Sequence, residues 1–458
     1  MIPAIDPAHL RHLIDETIRA SLDAVDPRRA IFRHVQRVGH VLTIGDTAVD
    51  LRPAGRVFLV SIGKAAAQMA GALIDLIGDD LAAGIVVTKH SHAMSFEPPP
   101  RVRLVEAGHP VPDENSIAGA RMIEAMLRGA TERDAVLCAI SGGGSALVTL
   151  PVGGLSLADL QTTTDVLLRS GVTIHELNAV RKHLDRIKGG GLARMSRGAD
   201  TTALLLSDVV GDDLSAIASG PTAPDPSTFQ DAWRVIEQHR LRDQIPSSVC
   251  DCLQAGLRGE GPETPKPGDP AFGRVRNMIV GSNRAAAEAA QGFLRSRGLN
   301  TMLLSTFLQG EAREVGRVAS AIAREIATSD RPVARPAAVI AGGETTVTVR
   351  GGGVGGRNQE LALSAAIGVD GLDDAWIAAW ATDGGDGPTG AAGAIVNGGT
   401  MGCARRAGID AARYLAENDS HGFFSALSKT GGSAACGGLI VTGPTGTNVN
   451  DLLFVLAF

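Results

Sequence analysis

LLLSDVVGDDLSAIASGPTAPDP, residues 204–226, is the stretch that decides the fold. The apolar run 203–206 predicts a strand that is buried on both faces. Asp208, Asp212 and Asp213 follow this strand closely. In open α/β sheets, ligands bind outside the carboxyl ends of the strands, where loops gather polar groups. The stretch therefore predicts part of a ligand site, although a merely solvated acidic loop would have the same composition.

Length and charge narrow the class of protein. With 458 residues, the chain is longer than the roughly 250 to 300 residues at which a single core stops growing, so we expect two domains. Aromatic residues make up 3% of the chain and the formal net charge is −6. No run of Lys or Arg is longer than two residues. These features argue against nucleic-acid binding and against attachment to an anionic membrane.

The sequence shows neither a targeting signal nor a cysteine framework. The N-terminal residues MIPAIDPAHLRHLIDE lack a basic segment followed by an apolar one. No apolar run approaches the roughly 18 residues of a membrane span. The five cysteines are odd in number and none shows CxxC spacing. Together these features predict a cytoplasmic protein.

Lys64 lies where another predicted strand ends. Residues 56–62 predict the strand, Gly63 and Lys64 close it, and an Ala-rich helix is predicted over 65–77. A lysine beside the amides of a helix N-terminus favours a bound anion. The motif is not a Walker A sequence, because it lacks the preceding glycine at the required spacing and the following Ser or Thr. Lys64 is therefore a candidate anion-binding residue.

Three consecutive glycines follow a further predicted strand, at 134–140. They lie between two serines, in the order Ser141, Gly142, Gly143, Gly144, Ser145. Glycines leave backbone N–H groups unobstructed, which allows a phosphate or carboxylate to approach closely. A hairpin tip could also use such glycines, but the position after a strand favours an anion site.

Two further segments carry residues that could line the same site. The pattern predicts a helix over 174–188, on which Arg181 and Lys188 lie seven residues apart and share a face. Such a face is usually only solvated, but here it could supply cations to a bound anion. His109 and Asp113 either line a site or belong only to a tight proline turn.

The second half of the chain restarts the α/β alternation. The Pro- and Gly-rich residues 261–270 predict a domain boundary, with one domain at 1–265 and the other at 271–458. Asn283 lies at the start of a predicted helix, and Glu344 follows a predicted strand and two glycines.

The glycine tract at 351–356 matches GxGxxG after an apparent strand at 345–349, which is typical of dinucleotide-binding folds. The match is nearly automatic in a run of glycines, so it is weak. Arg357 follows the tract and places a guanidinium where a phosphate could be clamped. Farther along, the turn TDGGDG contains Asp383 and Asp386, a doubled acid that suits a divalent cation.

Long motifs in a fixed order make the chain resemble a known family from about Ala30 onward. The motifs are GHPVPDEN, SGGGSAL, LNAVRKHLDRIKGGGLA, LLLSDVVGDD with ASGPTAPDP, GGETTV, GGRNQE, TDGGDGPTGAAG and TGPTGTNVNDL. The chain resembles the bacterial and archaeal glycerate 2-kinases, some of which are labelled hydroxypyruvate reductases. Residues 428–436, SKTGGSAAC, depart from the family pattern as an insertion.

The resemblance implies both a fold and a reaction. The implied fold is α/β, with a Rossmann-like three-layer N-terminal domain, a smaller mixed α/β C-terminal domain and the active site in the cleft between them. The implied reaction is phosphate transfer from ATP to D-glycerate with Mg²⁺, giving 2-phosphoglycerate. Lys64 and Arg357 match the family's active-site lysine and arginine. Closure of the cleft would exclude water while these two cations stabilise the transferred phosphate.

The chemistry of that reaction suggests functions for the remaining candidate residues. Asp208 would orient or deprotonate the 2-hydroxyl of glycerate, with Asp212 or Asp213 as alternatives. Asp383 and Asp386 would hold Mg²⁺. Contacts to substrate and phosphate are expected from Ser141, Gly142, Gly143, Gly144, Ser145, Arg181, Asn283 and Glu344.

Two other classes of function remain open from the sequence. One is an NAD(P)H-dependent hydroxypyruvate reductase, and the other is a nucleotide-binding regulator without turnover. The only partners expected are small molecules, D-glycerate and ATP. The oligomeric state stays open, and a homodimer is one option.

Overall fold

The chain forms two compact units that do not follow the order of the sequence. The computed structural model describes residues 6–51, 55–93, 96–372, 374–429 and 436–458. One unit comprises Pro27–Val280, and we call it the parallel-sheet unit. The other combines Met1–Asp26 with Gly281–Phe458, and we call it the mixed-sheet unit. Helix α1 (Pro7–Ala24) is the N-terminal part of the mixed-sheet unit.

The parallel-sheet unit contains two sheets and nine α-helices within the described residues. Its strands are β1 (Val35–Val38), β2 (Val41–Ile44), β3 (Thr47–Asp50), β4 (Val57–Ile62), β5 (Leu81–Lys89), β6 (Val102–Ala107), β7 (Ala135–Ser141), β8 (Asp200–Leu206) and β9 (Val275–Gly281). Its helices are α2 (Pro27–His34), α3 (Ala66–Ile77), α4 (Glu114–Leu127), α5 (Gly144–Leu147), α6 (Leu157–Arg169), α7 (Ile174–His183), α8 (Gly191–Met195), α9 (Phe229–Gln238) and α10 (Ser247–Leu257).

The larger sheet has a doubly wound strand order. β6, β5, β4, β7 and β8 lie side by side in that order and are parallel, and β9 extends the sheet beside β8. β4 and β7 are buried along their whole length because helices cover both faces of such a sheet. This arrangement confirms the predicted Rossmann-like α/β fold, including the buried strand at 203–206.

The mixed-sheet unit is built around a second six-stranded sheet. Its strands are β10 (Asn300–Leu308), β11 (Ala337–Gly343), β12 (Ala375–Ala381), β13 (Gly393–Asn397), β14 (Gly438–Ile440) and β15 (Asp451–Ala457). Its further helices are α11 (Asn283–Ser296), α12 (Ala312–Ser329), α13 (Arg357–Gly368), α14 (Thr400–Arg406), α15 (Ala411–Ala416) and α16 (Ser420–Ser428). Only β10 and β11 are parallel neighbours, whereas β15 lies between β11 and β12 and is antiparallel to both.

Several boundaries differ from those that the sequence pattern predicts. The Pro- and Gly-rich residues 261–270 do not separate the units, because the chain returns from them to add β9 to the first sheet. Helix α1 packs against α11 and so belongs with the C-terminal residues. The apparent strand at 345–349 is not a strand, and Thr346 forms only an isolated bridge with Glu311.

A disulfide joins Cys403 in α14 to Cys436, with their Cα atoms 6.1 Å apart. Spacing in the sequence does not predict this pair. Cys138, Cys250 and Cys252 are free thiols. No helix of the described residues is long and apolar enough to span a bilayer.

Candidate active site

The loops after β4 and β7 meet at the centre of the parallel sheet. β4 and β7 are neighbours although β5 and β6 come between them in the chain, so the strand order reverses at this point. Open α/β sheets bind their ligands in the crevice at such a switch point. Lys64 and the glycine loop 141–145 both lie there.

The backbone of Lys64 is held by the loop that follows β7. Its N–H donates a hydrogen bond to the Gly142 carbonyl at 2.9 Å, and the Ala65 N–H donates to Ser141 Oγ at 3.0 Å. Ser141 is buried, so its hydroxyl holds the turn that carries Lys64. The lysine side chain itself is half-buried. The structure thus gives Ser141 a supporting position behind the lysine.

Asp208 and His109 lie against the same glycine loop. A Cβ on Gly142 would overlap with the Asp208 carboxylate, so this carboxylate lies directly against the glycine. A Cβ on Gly143 would lie 3.1 Å from His109 Cδ2 and 3.2 Å from Lys64 Cγ, and Gly143 has a φ of 84°. The loop therefore brings together a lysine, a histidine and an aspartate from three different strand ends.

Ser145 begins a chain of polar contacts behind the glycine loop. Its Oγ lies 2.7 Å from Ser219 Oγ, and Ser219 Oγ donates a hydrogen bond to Asn178 Oδ1 at 3.0 Å. Asn178 and Ser219 are buried. These contacts fix the serine at the end of the loop.

Arg181 approaches Ser145 from helix α7. Its Nη2 donates a long hydrogen bond of 3.4 Å to the Ser145 carbonyl. Burial lowers the pKa of this guanidinium, and the charge of Asp185 opposes the shift. The described part of the chain provides no ion-pair partner for Arg181. A half-buried guanidinium without such a partner favours an incoming anion.

Lys188 does not lie on the helix that carries Arg181, contrary to the sequence prediction. Helix α7 ends at His183, so the two residues do not lie on one helix face. Lys188 is buried, and its Nζ donates to Asp185 Oδ2 at 2.6 Å and to the Val148 carbonyl at 2.9 Å. Its charge is therefore already paired inside the unit.

A second charged cluster, in the mixed-sheet unit, surrounds Arg357, the first residue of α13. Arg357 Nε and Nη2 donate to the two carboxylate oxygens of Asp451 at 2.5 and 2.9 Å. Arg357 Nη1 lies 3.1 Å from Glu344 Oε1. Burial would lower the pKa of Arg357, but the neighbouring carboxylates outweigh it and raise the pKa. The guanidinium is thus a permanent cation.

Two family models match most of the chain. A model described as a domain of unknown function, DUF4147, matches residues 13–254, and a model of the MOFRL family matches residues 337–451. A glycerate 2-kinase from Pyrococcus horikoshii is 43% identical over 97% of this chain and 96% of its own length. A D-glycerate 2-kinase from Thermotoga maritima is 42% identical over 98% of this chain and 99% of its own. The chain belongs to the glycerate 2-kinase family.

Other relatives show how this family of enzymes is labelled and folded. A protein from Agrobacterium vitis, called a putative hydroxypyruvate reductase, is 40% identical over 97% of this chain and 94% of its own length. The crystal structure of a glycerate kinase from Thermotoga maritima matches with a TM-score of 0.85 at 40% identity. That match covers 98% of this chain and 100% of the other. The predicted family and fold class are therefore confirmed, and the chain is an enzyme.

The two acids predicted to hold Mg²⁺ occupy different environments in the structure. Asp386 is buried at the N-terminus of α13, where one oxygen accepts from the Asn358 N–H at 3.0 Å and the other from the Gln359 N–H at 2.9 Å. Burial raises its pKa. Asp383 is half-buried and accepts from the Gly385 N–H at 3.0 Å through Oδ1.

Asp383 fits a magnesium ligand better than Asp386 does. Mg²⁺ in kinases is usually held by one or two carboxylates together with substrate phosphates. Both oxygens of Asp386 already accept hydrogen bonds from the N-terminus of α13. Asp383 Oδ1 accepts one hydrogen bond, from the Gly385 N–H in its own turn. The described residues contain no group of three or more His, Cys, Asp or Glu that could hold a metal on their own.

Asn283 braces the Arg357 cluster from the start of α11. Its Nδ2 donates to the carbonyls of Val449 at 2.8 Å and Asp451 at 2.9 Å. Its Oδ1 is buried without a hydrogen-bond partner among the described residues, and a Cβ on Gly342 would overlap with it. The side chain therefore fixes the backbone at the start of β15.

The glycine tract at 351–356 packs closely against neighbouring protein at most of its positions. A Cβ on Gly351 would overlap with the backbone of Glu417, and one on Gly353 with Asp419. The Val354 N–H donates to Asp419 Oδ1 at 3.1 Å. Close packing on the segment before α16 thus explains these glycines, and it removes the sequence pattern's support for a dinucleotide site.

Sequence reasoning missed Asp451 as a site residue. It lies 94 positions from Arg357, and no local motif connects the two. The only signal was its place in the family motif TGPTGTNVNDL. The predicted insertion at 428–436 lies mostly outside the described residues, which resume at Cys436.

The protonation of His109 gives a testable pH dependence. Burial and the nearby charge of Lys64 lower its pKa from 6.5 to about 4. Between these pH values the unfolded chain binds the extra proton, so the stability that His109 contributes is present above about pH 6.5 and lost as the pH falls through about 4. In an NMR titration we expect the chemical shift of the His109 imidazole to be that of the neutral form at pH 6. The resonance is assigned by its absence from the spectrum of His109→Gln. A midpoint near pH 6.5 would contradict this.

Proposed function

We propose that the protein transfers the γ-phosphate of ATP to the 2-hydroxyl of D-glycerate and releases 2-phosphoglycerate. The observation that carries the proposal is the meeting of Lys64 and Asp208 at the glycine loop, on the switch point of the parallel sheet. A cation and a carboxylate at such a crevice suit a transferring phosphate and an attacking alcohol. The whole-length similarity to named glycerate 2-kinases supports the choice of substrate.

The carboxylate of D-glycerate would be bound by Arg181 and the glycine loop. Arg181 brings a half-buried guanidinium, which has no ion-pair partner among the described residues, to within 3.4 Å of the Ser145 carbonyl. An arginine fork matches the planar carboxylate geometry. The unobstructed amides of Gly143 and Gly144 would add further donors. This arrangement would place the glycerate 2-hydroxyl near the acid at Gly142.

Asp208 is the best candidate to orient or deprotonate that hydroxyl. Its carboxylate lies directly against Gly142. Asp213 accepts from the Ser215 N–H at 2.8 Å and from Ser215 Oγ at 3.1 Å, so it is held within a local turn. Phosphoryl transfer needs an aligned alcohol more than it needs a strong base. A carboxylate in this position meets that requirement.

Lys64 and Arg357 would neutralise the charge on the phosphate during transfer. The charge of the transferring group is spread over three oxygens, so cations placed against it stabilise the transition state. Lys64 is positioned by the loop after β7, and Arg357 by Asp451. Bound Mg²⁺ would neutralise the ATP phosphates, with Asp383 as its protein ligand. ATP and D-glycerate are the small-molecule partners of this proposal.

Paired assays distinguish this proposal from the reductase function that some relatives carry as a label. The protein is incubated with D-glycerate, ATP and Mg²⁺ in one reaction and with hydroxypyruvate and NADH in the other. We expect ADP formation that depends on glycerate, and no NADH oxidation. NADH oxidation without any glycerate-dependent ADP would contradict the proposal.

Asp383→Asn tests the proposed magnesium ligand. A neutral amide is a poorer ligand for a hard dication, so the Mg²⁺ concentration for half-maximal activity should rise while the activity at saturating Mg²⁺ is largely kept. Asp251→Asn, which changes an exposed acid on α10, is the matched control and should leave the titration unchanged. An identical Mg²⁺ titration in both variants would mean that Asp383 only shapes its turn.

A further inference from the structure

Asp451 is held in place within the central strand pairing of the mixed sheet. It is the first residue of β15, and its backbone is paired on one side with Gly343 of β11 and on the other with Ala381 of β12. The Asn283 side chain adds a hydrogen bond to its carbonyl at 2.9 Å. A residue fixed at the centre of a sheet can hold a partner in one orientation.

The contacts of Arg357 divide between one buried acid and one exposed acid. Asp451 accepts two parallel hydrogen bonds, and its side chain is only 9% exposed. Glu344 makes a single contact with Nη1 at 3.1 Å, and its side chain is 44% exposed. The paired fork fixes the plane of the guanidinium, because rotation would break two charge-assisted bonds. The edge that meets Glu344 can exchange its partner for another anion.

Charge alone does not explain a carboxylate at this position. Burial raises the pKa of Asp451 to about 6 in spite of the opposing effect of Arg357, so its ionisation is less favourable here than in water. A negative charge beside Arg357 also reduces the attraction between that arginine and a phosphate. The function that remains for Asp451 is geometric, since a bidentate pair sets direction as well as energy.

We propose that Asp451 is a positioning residue that fixes the guanidinium of Arg357, so that its Nη1 edge, now beside Glu344, meets the transferred phosphate. The inference rests on the proposed function, because it assumes that Arg357 acts on that phosphate. Asp451 itself touches no reacting atom. Its effect on turnover must therefore pass through Arg357.

A double-mutant cycle tests this dependence. Asp451→Asn is made in the wild type and in Arg357→Ala, and kcat and KM for D-glycerate are measured for all four proteins. In the wild-type background we expect kcat to fall by roughly 10- to 100-fold, the cost of a misplaced group, with KM nearly unchanged. In the Arg357→Ala background we expect no further fall in kcat.

Asp370→Asn provides the matched control for loss of a bidentate pair. Asp370 binds Arg405 through two contacts of 2.6 and 3.0 Å, and it lies just beyond the far end of α13. The twelve residues of that helix separate it from Arg357 by roughly 18 Å. Its replacement should leave kcat unchanged in both backgrounds.

The outcomes separate this inference from the proposed function. Unchanged kcat in Asp451→Asn, or an equal loss in both backgrounds, would overturn the positioning role alone. Wild-type kcat in Arg357→Ala would overturn both the positioning role and the proposed role of Arg357. If Asp451→Asn shows no cooperative thermal unfolding transition and is therefore not folded, Asp451→Glu replaces it in the same cycle. Glutamate keeps the negative charge but moves the carboxylate that binds the Arg357 guanidinium. Therefore kcat should again fall only when Arg357 is present.

Discussion

Replacing Lys64 by methionine should lower kcat for glycerate phosphorylation by roughly 100-fold or more, which is the usual effect of removing one transition-state stabiliser. Methionine keeps most of the length and the apolar stem of lysine but has no charge. The backbone at this position is fixed by the 2.9 Å hydrogen bond to the Gly142 carbonyl, which the substitution leaves intact. The midpoint of thermal unfolding should therefore change little.

Lys429→Met is the control for this experiment. Lys429 is exposed just after α16, so its loss removes the same charge without touching the glycine loop. We expect wild-type kcat from this variant. A normal kcat in Lys64→Met, measured on folded protein, would remove Lys64 from the mechanism.

Arg357→Lys should lower kcat by roughly 10- to 100-fold although it keeps the positive charge. The ammonium of lysine is a compact point charge and cannot reproduce the two parallel bonds that Arg357 makes to Asp451 at 2.5 and 2.9 Å. The charge would remain near the site, but its direction would be lost. Steady-state kinetics at saturating ATP and D-glycerate measure this effect directly.

Arg405→Lys tests whether the loss is specific to the site. Arg405 also forms a bidentate pair, with Asp370, but on the exposed surface. Its replacement should leave kcat within a factor of about two, since exposed ion pairs contribute little. An equal loss in both variants would indicate a general effect on the mixed-sheet unit.

The parallel core could be predicted because its strands are nearly continuous apolar runs. β4, β7 and β8 are buried on both faces, so their sequences need no alternation and stand out from the helices around them. The glycines that follow β4 and β7 mark where the chain turns. That pattern predicts Lys64 and the loop 141–145 at strand ends. Only the structure shows that β4 and β7 are adjacent in the sheet.

Other features depend on contacts that no local pattern specifies. β15 is the last strand in the chain but lies in the middle of its sheet, which is why Asp451 reaches Arg357. The doubled acid turn at 382–387 has the composition of a metal site, yet Asp386 caps α13 instead. A carboxylate that binds a cation and one that accepts backbone N–H groups are the same in sequence. Only the position of the helix decides between them.

Identification of the phosphorylated product tests the central claim most directly. The wild-type protein is incubated with D-glycerate, ATP and Mg²⁺, and the products are followed by phosphorus NMR against reference samples of the two glycerate phosphates. We expect a new resonance at the position of 2-phosphoglycerate that grows in step with ADP and is absent without glycerate. Formation of 3-phosphoglycerate, or release of inorganic phosphate alone, would contradict transfer to the 2-hydroxyl.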